Sequence, residues 1–241
     1  MALIFMSLLL AAGIFGCGTK AGQEPEAVPA AENAVEETAG GWTVNRDETV
    51  GFLPEKVQEA FDKAMKDYTG MGFRPVAYLG SQVVAGLNHA ILCRGTMVTA
   101  NPVTKLKVVT VYEMLDGSAE ITNVTDFDPG HFAYAEDTGK SQEMLAGGWT
   151  EFTDQPAVNL PAEVEKALED ALNGLTGAGY EPLAYLASQV VAGMNYSILC
   201  RQTLVTAEPV VRLAVVTVNT APDGTSSLVN IAGLNLAELV G

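Results

Sequence analysis

The segment SQVVAGLNHAILCR at residues 81–94 returns as SQVVAGMNYSILCR at residues 188–201, which lies 107 residues further along the chain. This offset holds without a gap from Gly40 to the end, and about 41 of the 88 positions in 41–128 are identical in the second copy. A repeat of this length indicates a duplicated domain rather than a solenoid of small units. We therefore predict a first domain over residues 40–130, a linker over 131–146 and a second domain over 147–241.

Each copy has the pattern of one helix followed by an antiparallel meander. After Pro54, apolar residues recur at helical spacing in one stripe, namely Val57, Ala60, Phe61, Ala64, Met65 and Tyr68. Strand-like stretches follow at 73–84, 87–98, 106–111 and 119–125, and turn signals such as Asp116-Gly117 separate them. The expected fold class is therefore α+β, with one helix packed against an antiparallel sheet in each domain.

The composition excludes several function classes. A formal net charge of −16 and a pI near 4.4 disfavour nucleic acid or an anionic membrane surface as an electrostatic partner. No metal-ligand cluster, phosphate-binding loop or nucleophile elbow occurs in the sequence, so we predict a non-enzyme without metal or cofactor. His89 and Cys93 share one strand face, but Tyr196 replaces the histidine in the second copy. We expect Cys93 and Cys200 to be buried free thiols.

The N-terminal residues have the pattern of an export signal. An apolar run over residues 2–16 is short for a membrane span and fits the hydrophobic part of a signal peptide. The stretch Ile14-Phe15-Gly16-Cys17 resembles the lipobox of bacterial lipoproteins, which implies lipidation of Cys17 and a location in the bacterial cell envelope. An ordinary signal peptide (residues 1–16) and a secreted protein are the alternative. Residues 17–39 are acidic and lack aromatic residues, so we predict a flexible tether.

The repeated segment allows two interpretations. Val83-Val84-Ala85-Gly86 falls where one predicted strand ends and the next begins, and hairpin tips normally carry polar turn residues. Exposed valines at a tip would indicate insertion into a partner. Alternatively, the strand continues and one of the two valines faces the helix. The residue pattern alone favours neither reading.

The residues 82–86 and 189–193 resemble the Gln-x-Val-x-Gly signature of cystatins, inhibitors of papain-like cysteine proteases. A glycine pair upstream and an intervening amphipathic helix extend this resemblance over 40–128 and 147–235. The resemblance implies two cystatin-like domains, each with one α-helix packed against a curved antiparallel β-sheet. It also implies a wedge of three segments that enters the protease cleft: a trunk at a glycine, the signature hairpin and a second hairpin.

The protease-binding residues that the resemblance implies are Gly41, Gln82, Val83, Val84, Ala85, Gly86, Asp116, Gly117, Gly148, Gln189, Val190, Val191, Ala192, Gly193, Asp223 and Gly224. The second hairpin departs from the family, because Leu115-Asp116-Gly117 and Pro222-Asp223-Gly224 stand where cystatins have Pro-Trp. A missing tryptophan removes a typical interface anchor, worth about 2 kcal/mol or more. Apolar residues before Gly148 make the second copy the stronger expected inhibitor.

Two functions from different classes are compatible with these residues. The first is reversible, competitive inhibition of papain-like cysteine proteases, host or microbial, by a monomeric chain that meets the membrane only through its lipid. The second is a non-inhibitory surface binding or adhesion module, since one fold hosts many functions. The missing Pro-Trp pair favours the second function, and the duplicated signature favours the first.

Overall fold

The structure of the chain is a computed structural model that describes residues 40–46, 53–134, 148–152 and 160–241. The predicted signal peptide, the tether, Cys17 and most of the predicted linker lie outside these residues. The described parts of both copies belong to one compact unit that spans Glu37–Gly241.

The elements of the two copies follow the same order along the chain. The first copy contains β1 (Trp42–Val44), α1 (Glu55–Met65), β2 (Met71–Val84), β3 (Gly86–Met97), β4 (Thr104–Met114), β5 (Ala119–Asp126) and a 3₁₀ turn at Pro129–Phe132. The second contains β6 (Thr150–Glu151), α2 (Ala162–Leu172), β7 (Ala178–Val191), β8 (Gly193–Leu204), β9 (Val210–Thr220), β10 (Ser226–Leu234) and α3 (Leu236–Val240).

The strands form two five-stranded antiparallel sheets, in the order β1-β2-β3-β4-β5 and β10-β9-β8-β7-β6. Each sheet is a meander in which sequential neighbours pair, as short connections between antiparallel strands allow. α1 begins directly after Pro54, whose missing N–H costs nothing in the first turn.

One hydrophobic core lies between the two sheets and is built from both copies. Leu92 and Val108 of the first sheet belong to the same buried cluster as Leu199 and Val215 of the second. Alternate residues on the same strands point the other way, because successive side chains of a strand face opposite sides of the sheet. Both faces of each sheet are therefore covered.

A helix covers the outer face of each sheet. Ile91 and Cys93 of β3 pack with the buried stripe of α1, and Ile198 and Cys200 of β8 pack with α2. The molecule thus has four layers in the order helix, sheet, sheet, helix. The two cysteines lie on opposite outer sides of the paired sheets, so they cannot approach each other. The prediction that Cys93 and Cys200 are buried small apolar residues is confirmed.

The expected fold class, two α+β cystatin-like domains with one helix on one curved sheet, is wrong. The structure is mostly β, with 53% in strands, two five-stranded antiparallel sheets and only three short α-helices in the described residues. The physical reason is the second apolar face of each sheet, which carries residues such as Ala90 and Leu92. A helix-on-sheet domain would leave that face in water, and here the other sheet covers it.

The C-terminal turn of each copy packs on the sheet of the other copy. α3 lies against β1, β4 and β5, and the 3₁₀ turn lies against β9 and β10. Asn123 of β5 donates a hydrogen bond to the Val240 carbonyl, and Asn230 of β10 donates one to the Phe132 carbonyl at 2.9 Å. Asn123 and Asn230 occupy equivalent positions in the repeat and are the one identical pair among residues 118–128 and their counterparts. The two copies therefore exchange their C-terminal turns reciprocally.

Candidate functional site

Three segments of the first copy meet at one end of its sheet. β1 pairs with β2 through Trp42 opposite Gln82, and the Gly40 N–H donates to the Val83 carbonyl at 3.1 Å. On the other side of the hairpin, Gly86 lies opposite Met114, where the loop between β4 and β5 begins. We call the hairpin end at residues 83–86 tip 1 and its counterpart at residues 190–193 tip 2.

The glutamine of the signature holds the N-terminal segment against the hairpin. Gln82 donates from Nε2 to the Gly40 carbonyl at 3.0 Å and accepts from Asn88 Nδ2 at 2.8 Å. In the second copy Gln189 accepts from Asn195 at 2.9 Å and from the Tyr134 hydroxyl at 3.1 Å. Both glutamines therefore have a structural role inside the protein, which the sequence pattern did not reveal.

The glycine of the signature is required by a close approach of the neighbouring strand. Gly86 has a φ of +139°, and a Cβ atom there would lie 2.3 Å from the Glu113 carbonyl oxygen. Gly193 has a φ of +113°, and its Cβ would lie 2.1 Å from the Thr220 carbonyl oxygen. Any side chain at either position would push the two hairpins apart. Packing at the base of the tips therefore requires glycine at both positions.

The apolar residues of the tips are exposed to solvent. Val84 is 42% exposed in tip 1 and Val190 is 62% exposed in tip 2, and Ala85 and Ala192 are exposed beside them. The exposed valine differs between the copies, since Val84 corresponds to Val191 in the repeat. Both tips thus present apolar side chains to water, as expected if the tips insert into a partner. The other valine of each pair, Val83 or Val191, is half-buried.

The second hairpin of the first copy lies next to tip 1. Tyr112 donates from its hydroxyl to the Ala85 carbonyl at 2.6 Å, and Lys63 of α1 donates to the Gly117 carbonyl at 2.9 Å. Leu115 at the end of this hairpin is 87% exposed. Leu115 is thus an exposed apolar residue at the end of the second hairpin, beside tip 1. The same place in the second copy is taken by Pro222, which is also exposed.

Asp116 and Asp223 organise the turns of the second hairpins. Asp116 accepts hydrogen bonds from the hydroxyl of Ser118 at 2.6 Å and from its N–H at 2.9 Å. These bonds lower the pKa of Asp116 below its ordinary value. The Thr225 N–H donates to Asp223 at 2.9 Å and, together with the Thr225 hydroxyl, lowers the pKa of Asp223. Both carboxylates are negative at neutral pH, so each second hairpin carries an exposed negative charge.

Gly41 and Gly148, the predicted trunk residues, precede β1 and β6 and are placed by those strands. Trp42 opposite Gln82 and Thr150 opposite Ser188 put the two glycines beside the tips. The Gly117 φ of +79° and the Gly224 φ of +85° suit the left-handed position of a tight turn. The structure therefore brings the predicted trunk, tip and second hairpin together in each copy, while the apolar residues before Gly148 lie outside the described residues.

His89 and Cys93 do not form a nucleophilic pair. His89 is 4% exposed, with Nδ1 3.0 Å from the Tyr78 hydroxyl and Nε2 3.1 Å from a carboxylate oxygen of Glu113. Cys93 lies in the core under α1, where burial raises the pKa of its thiol far above the usual range. A protonated thiol is a poor nucleophile. Burial likewise raises the pKa of the Cys200 thiol.

Two kinds of feature are absent from the described residues. No group of three or more His, Cys, Asp or Glu side chains that could hold a metal ion occurs in the part of the chain that the structure describes. Within the same residues, no helix has the length and apolar character that crossing a membrane requires.

Comparison with known proteins identifies no family, because no protein-family model and no curated protein matches the chain.

Proposed function

We propose that this protein is a reversible, competitive inhibitor of papain-like cysteine proteases that inserts its two tips into the active-site cleft. The observation that carries the proposal is the convergence of three segments at one end of each sheet, with Val84 and Val190 exposed at the apex. A narrow apolar edge is the shape that fits a cleft, and apolar side chains that leave water on binding supply affinity.

The contacts beneath tip 1 support this proposal because they hold its apex in one conformation. Gln82 ties the N-terminal segment to the hairpin, Tyr112 ties the second hairpin to Ala85, and the close approach at Gly86 packs the two hairpins together. A rigid edge loses little conformational entropy when it binds, which improves affinity without new contacts. A flexible loop with the same residues would bind less tightly.

The missing Pro-Trp pair reduces the apolar area of the wedge but does not remove it. Leu115 extends into water beside tip 1 and supplies a smaller apolar contact at that place. Pro222 holds the same place beside tip 2. We infer affinities below those of an inhibitor with a tryptophan anchor, since a buried tryptophan contributes about 2 kcal/mol or more.

A second candidate function is a non-inhibitory binding module at the cell surface. One observation favours it: Gln82, Gln189, Gly86 and Gly193 are all accounted for by contacts inside the protein. These signature residues would be retained for folding even without a protease partner. The exposed valines are the part of the signature that internal packing does not explain.

The test measures inhibition of papain by the exported chain and its variants. We expect inhibition at micromolar concentrations or below, weakened by Val84→Glu and by Val190→Glu and lost when both are combined. A charged residue would have to be desolvated inside the cleft, which is unfavourable. Val229→Glu, at an exposed valine of β10, is the matched control and should leave inhibition unchanged.

The result that contradicts the proposal is a wild-type chain that does not inhibit papain or cathepsin-type enzymes at micromolar concentration. Gly193→Arg is a poorer variant than Val190→Glu, because any side chain at Gly193 collides with the Thr220 backbone. Loss of inhibition in that variant would report a distorted hairpin. The double substitution at the exposed valines avoids this ambiguity.

The proposal includes export and a lipid anchor on Cys17, which lies outside the described residues. Its support is the lipobox-like stretch Ile14-Phe15-Gly16-Cys17 after an apolar run. Labelling of cells with a radioactive fatty acid should mark the wild-type protein and not the Cys17→Ala variant. Equal labelling of both would rule out this anchor.

A further inference from the structure

The two copies contact each other so that the tip end of one sheet packs near the far end of the other sheet. Tip 2 follows Gln189, which accepts a hydrogen bond from Tyr134 at the C-terminal end of the first copy. Beside it, Glu151 of β6 accepts from Lys105 Nζ at 3.0 Å and from the Leu106 N–H at 2.7 Å. Arg94 Nε donates to the Phe152 carbonyl at 3.0 Å. Arg94, Lys105 and Leu106 lie together at one end of the first sheet, where Arg94 pairs with Leu106.

That end is the one away from tip 1. In the register of β3 and β4, Gly86 lies opposite Met114 at tip 1, whereas Gly95 lies opposite Lys105 at the far end. Gly95 is nine residue steps along β3 from Gly86, which corresponds to roughly 30 Å at about 3.3 Å per residue. The base of tip 2 is therefore about one sheet length from tip 1.

A second contact confirms that the sheets run in opposite senses. Leu236 of α3 follows the end of β10 that is away from tip 2, and its Cδ1 would lie 2.8 Å from a Cβ at Gly80. Gly80 lies opposite Val44 near the base of tip 1. The far end of the second copy thus packs near tip 1. The two tips consequently point away from each other, at opposite ends of the molecule.

The loops between the third and fourth strands of each sheet lie at these same ends. In the first copy the loop connects β3 to β4, and its Val98 and Val103 are 74% and 50% exposed. Val98 lies four residues beyond Arg94 in the direction away from tip 1, which is the direction in which tip 2 projects. Tip 2 and the loop at residues 98–103 therefore stand at one end of the molecule.

The exposed valines of this loop are repeated in the second copy. Val205 and Val210, at the positions equivalent to Val98 and Val103, are 75% and 48% exposed. By the reciprocal arrangement they stand at the end that carries tip 1. Loops normally carry polar residues, and two pairs of exposed valines at matching places are not explained by packing inside the protein.

We propose that each tip forms one docking surface together with the valine loop of the other copy, so that the chain holds two such surfaces at opposite ends, each for one papain-like protease. This inference rests on the proposed inhibitory function and specifies its surface and stoichiometry. A protease that receives a tip in its cleft has its rim next to the cleft, and the valine loop lies where that rim would be. The loop then buries apolar surface that the tip alone does not reach.

The test uses the full chain with one tip disabled at a time. Val84→Glu leaves tip 2, and Val190→Glu leaves tip 1. In the first background, Val98→Ser with Val103→Ser should raise the papain inhibition constant about tenfold, since roughly 1.4 kcal/mol of apolar contact is lost. Val205→Ser with Val210→Ser should have no effect there. In the second background the two loop variants should exchange their effects.

Stoichiometry gives a second, independent readout. Titration of active papain should require half as much wild-type chain as of either single-tip variant, because the wild type binds two protease molecules. One protease per wild-type chain, or a loop variant that acts only on the tip of its own copy, would overturn the inference. Inhibition that ignores both loops would overturn it while leaving the proposed function intact. A wild-type chain that does not inhibit papain would remove both.

Discussion

Truncation of a leucine between the two sheets should destabilise both copies together. Leu92 of β3 and Leu199 of β8 are fully buried in the one cluster that the sheets share. Leucine-to-alanine changes at such positions cost about 3 kcal/mol, within a range of roughly 2–5. With a urea dependence of about 2 kcal/mol per molar, Leu92→Ala should lower the unfolding midpoint by about 1.5 M. Because the core is shared, the second copy should lose its structure in the same transition.

The two buried cysteines report on each copy separately. Cys93 packs only under α1 and Cys200 only under α2. Both thiols are buried and have a raised pKa, so an alkylating reagent reaches them only when the local structure opens. In a Cys17→Ser chain, which retains these two thiols, pulse alkylation over a urea series followed by mass spectrometry gives one unfolding curve per copy.

The expected result is that Leu92→Ala moves the Cys93 and Cys200 curves by the same amount, and that Leu199→Ala does the same. Coincident curves are the mark of one cooperative unit. A Cys200 curve that keeps the wild-type midpoint while the Cys93 curve moves would refute the shared core. Leu115→Ala is the matched control, since Leu115 is 87% exposed and its truncation should move neither curve.

Two further predictions concern the exchanged turns and the second hairpins. Asn123→Ala and Asn230→Ala each remove a hydrogen bond between the copies and should lower the unfolding free energy by about 1 kcal/mol. Asn101→Ala, in an exposed loop, is the control and should not lower it. Equal urea midpoints for all three variants would contradict the exchange of turns between the copies. Hydrogen bonds lower the pKa of Asp116 in the folded protein, so its charged form adds stability that is lost as the pH falls through that lowered value. Asp116→Asn should therefore reduce the urea midpoint at neutral pH. Well below pH 3.8, the ordinary pKa of the carboxyl group, the midpoints of the variant and the wild type should be equal. A difference that does not depend on pH would show that the charge is not the cause.

The local elements of this fold could be predicted from the sequence because their signals are local. The apolar stripe after Pro54 produces α1, and the turn signals at Ala85-Gly86 and Asp116-Gly117 lie where one strand ends and the next begins. The helix ends at Met65, three residues before Tyr68, the last residue of the predicted stripe. Periodicity shows which residues share a face and is less informative about where an element ends.

The packing of sheet on sheet could not be predicted in the same way. The sequence predicts that Cys93 is buried, but it assigns no partner to Ala90 and Leu92 on the opposite face of the same strand. The signal was present, since a strand with apolar residues on both faces is typical of a sheet that is covered on both sides. The sequence does not say whether the second cover is another part of the same chain, which only the tertiary contacts reveal.

The sequence predicts which three segments form the candidate site, but it does not show what each signature residue contacts. The trunk, the tip and the second hairpin do meet, as the repeated signature implied. Gln82 and Gly86, however, make internal contacts that a list of binding residues does not show. A single sequence cannot separate a residue that binds a partner from one that holds the binding surface in place, so it predicts Gln82 and Gly86 as protease-binding residues.

The reciprocal exchange also decides how the proposed inhibition has to be studied. A single copy on its own would expose Leu92 and its neighbours to water and would lose the turn that the other copy places on its sheet. Failure of such a fragment to inhibit papain would then report a lost fold and not an inactive tip. The two tips can be compared only within the full chain, by changing exposed residues such as Val84 and Val190 that the shared core does not need. A difference in inhibition between those two variants would therefore measure the tips themselves.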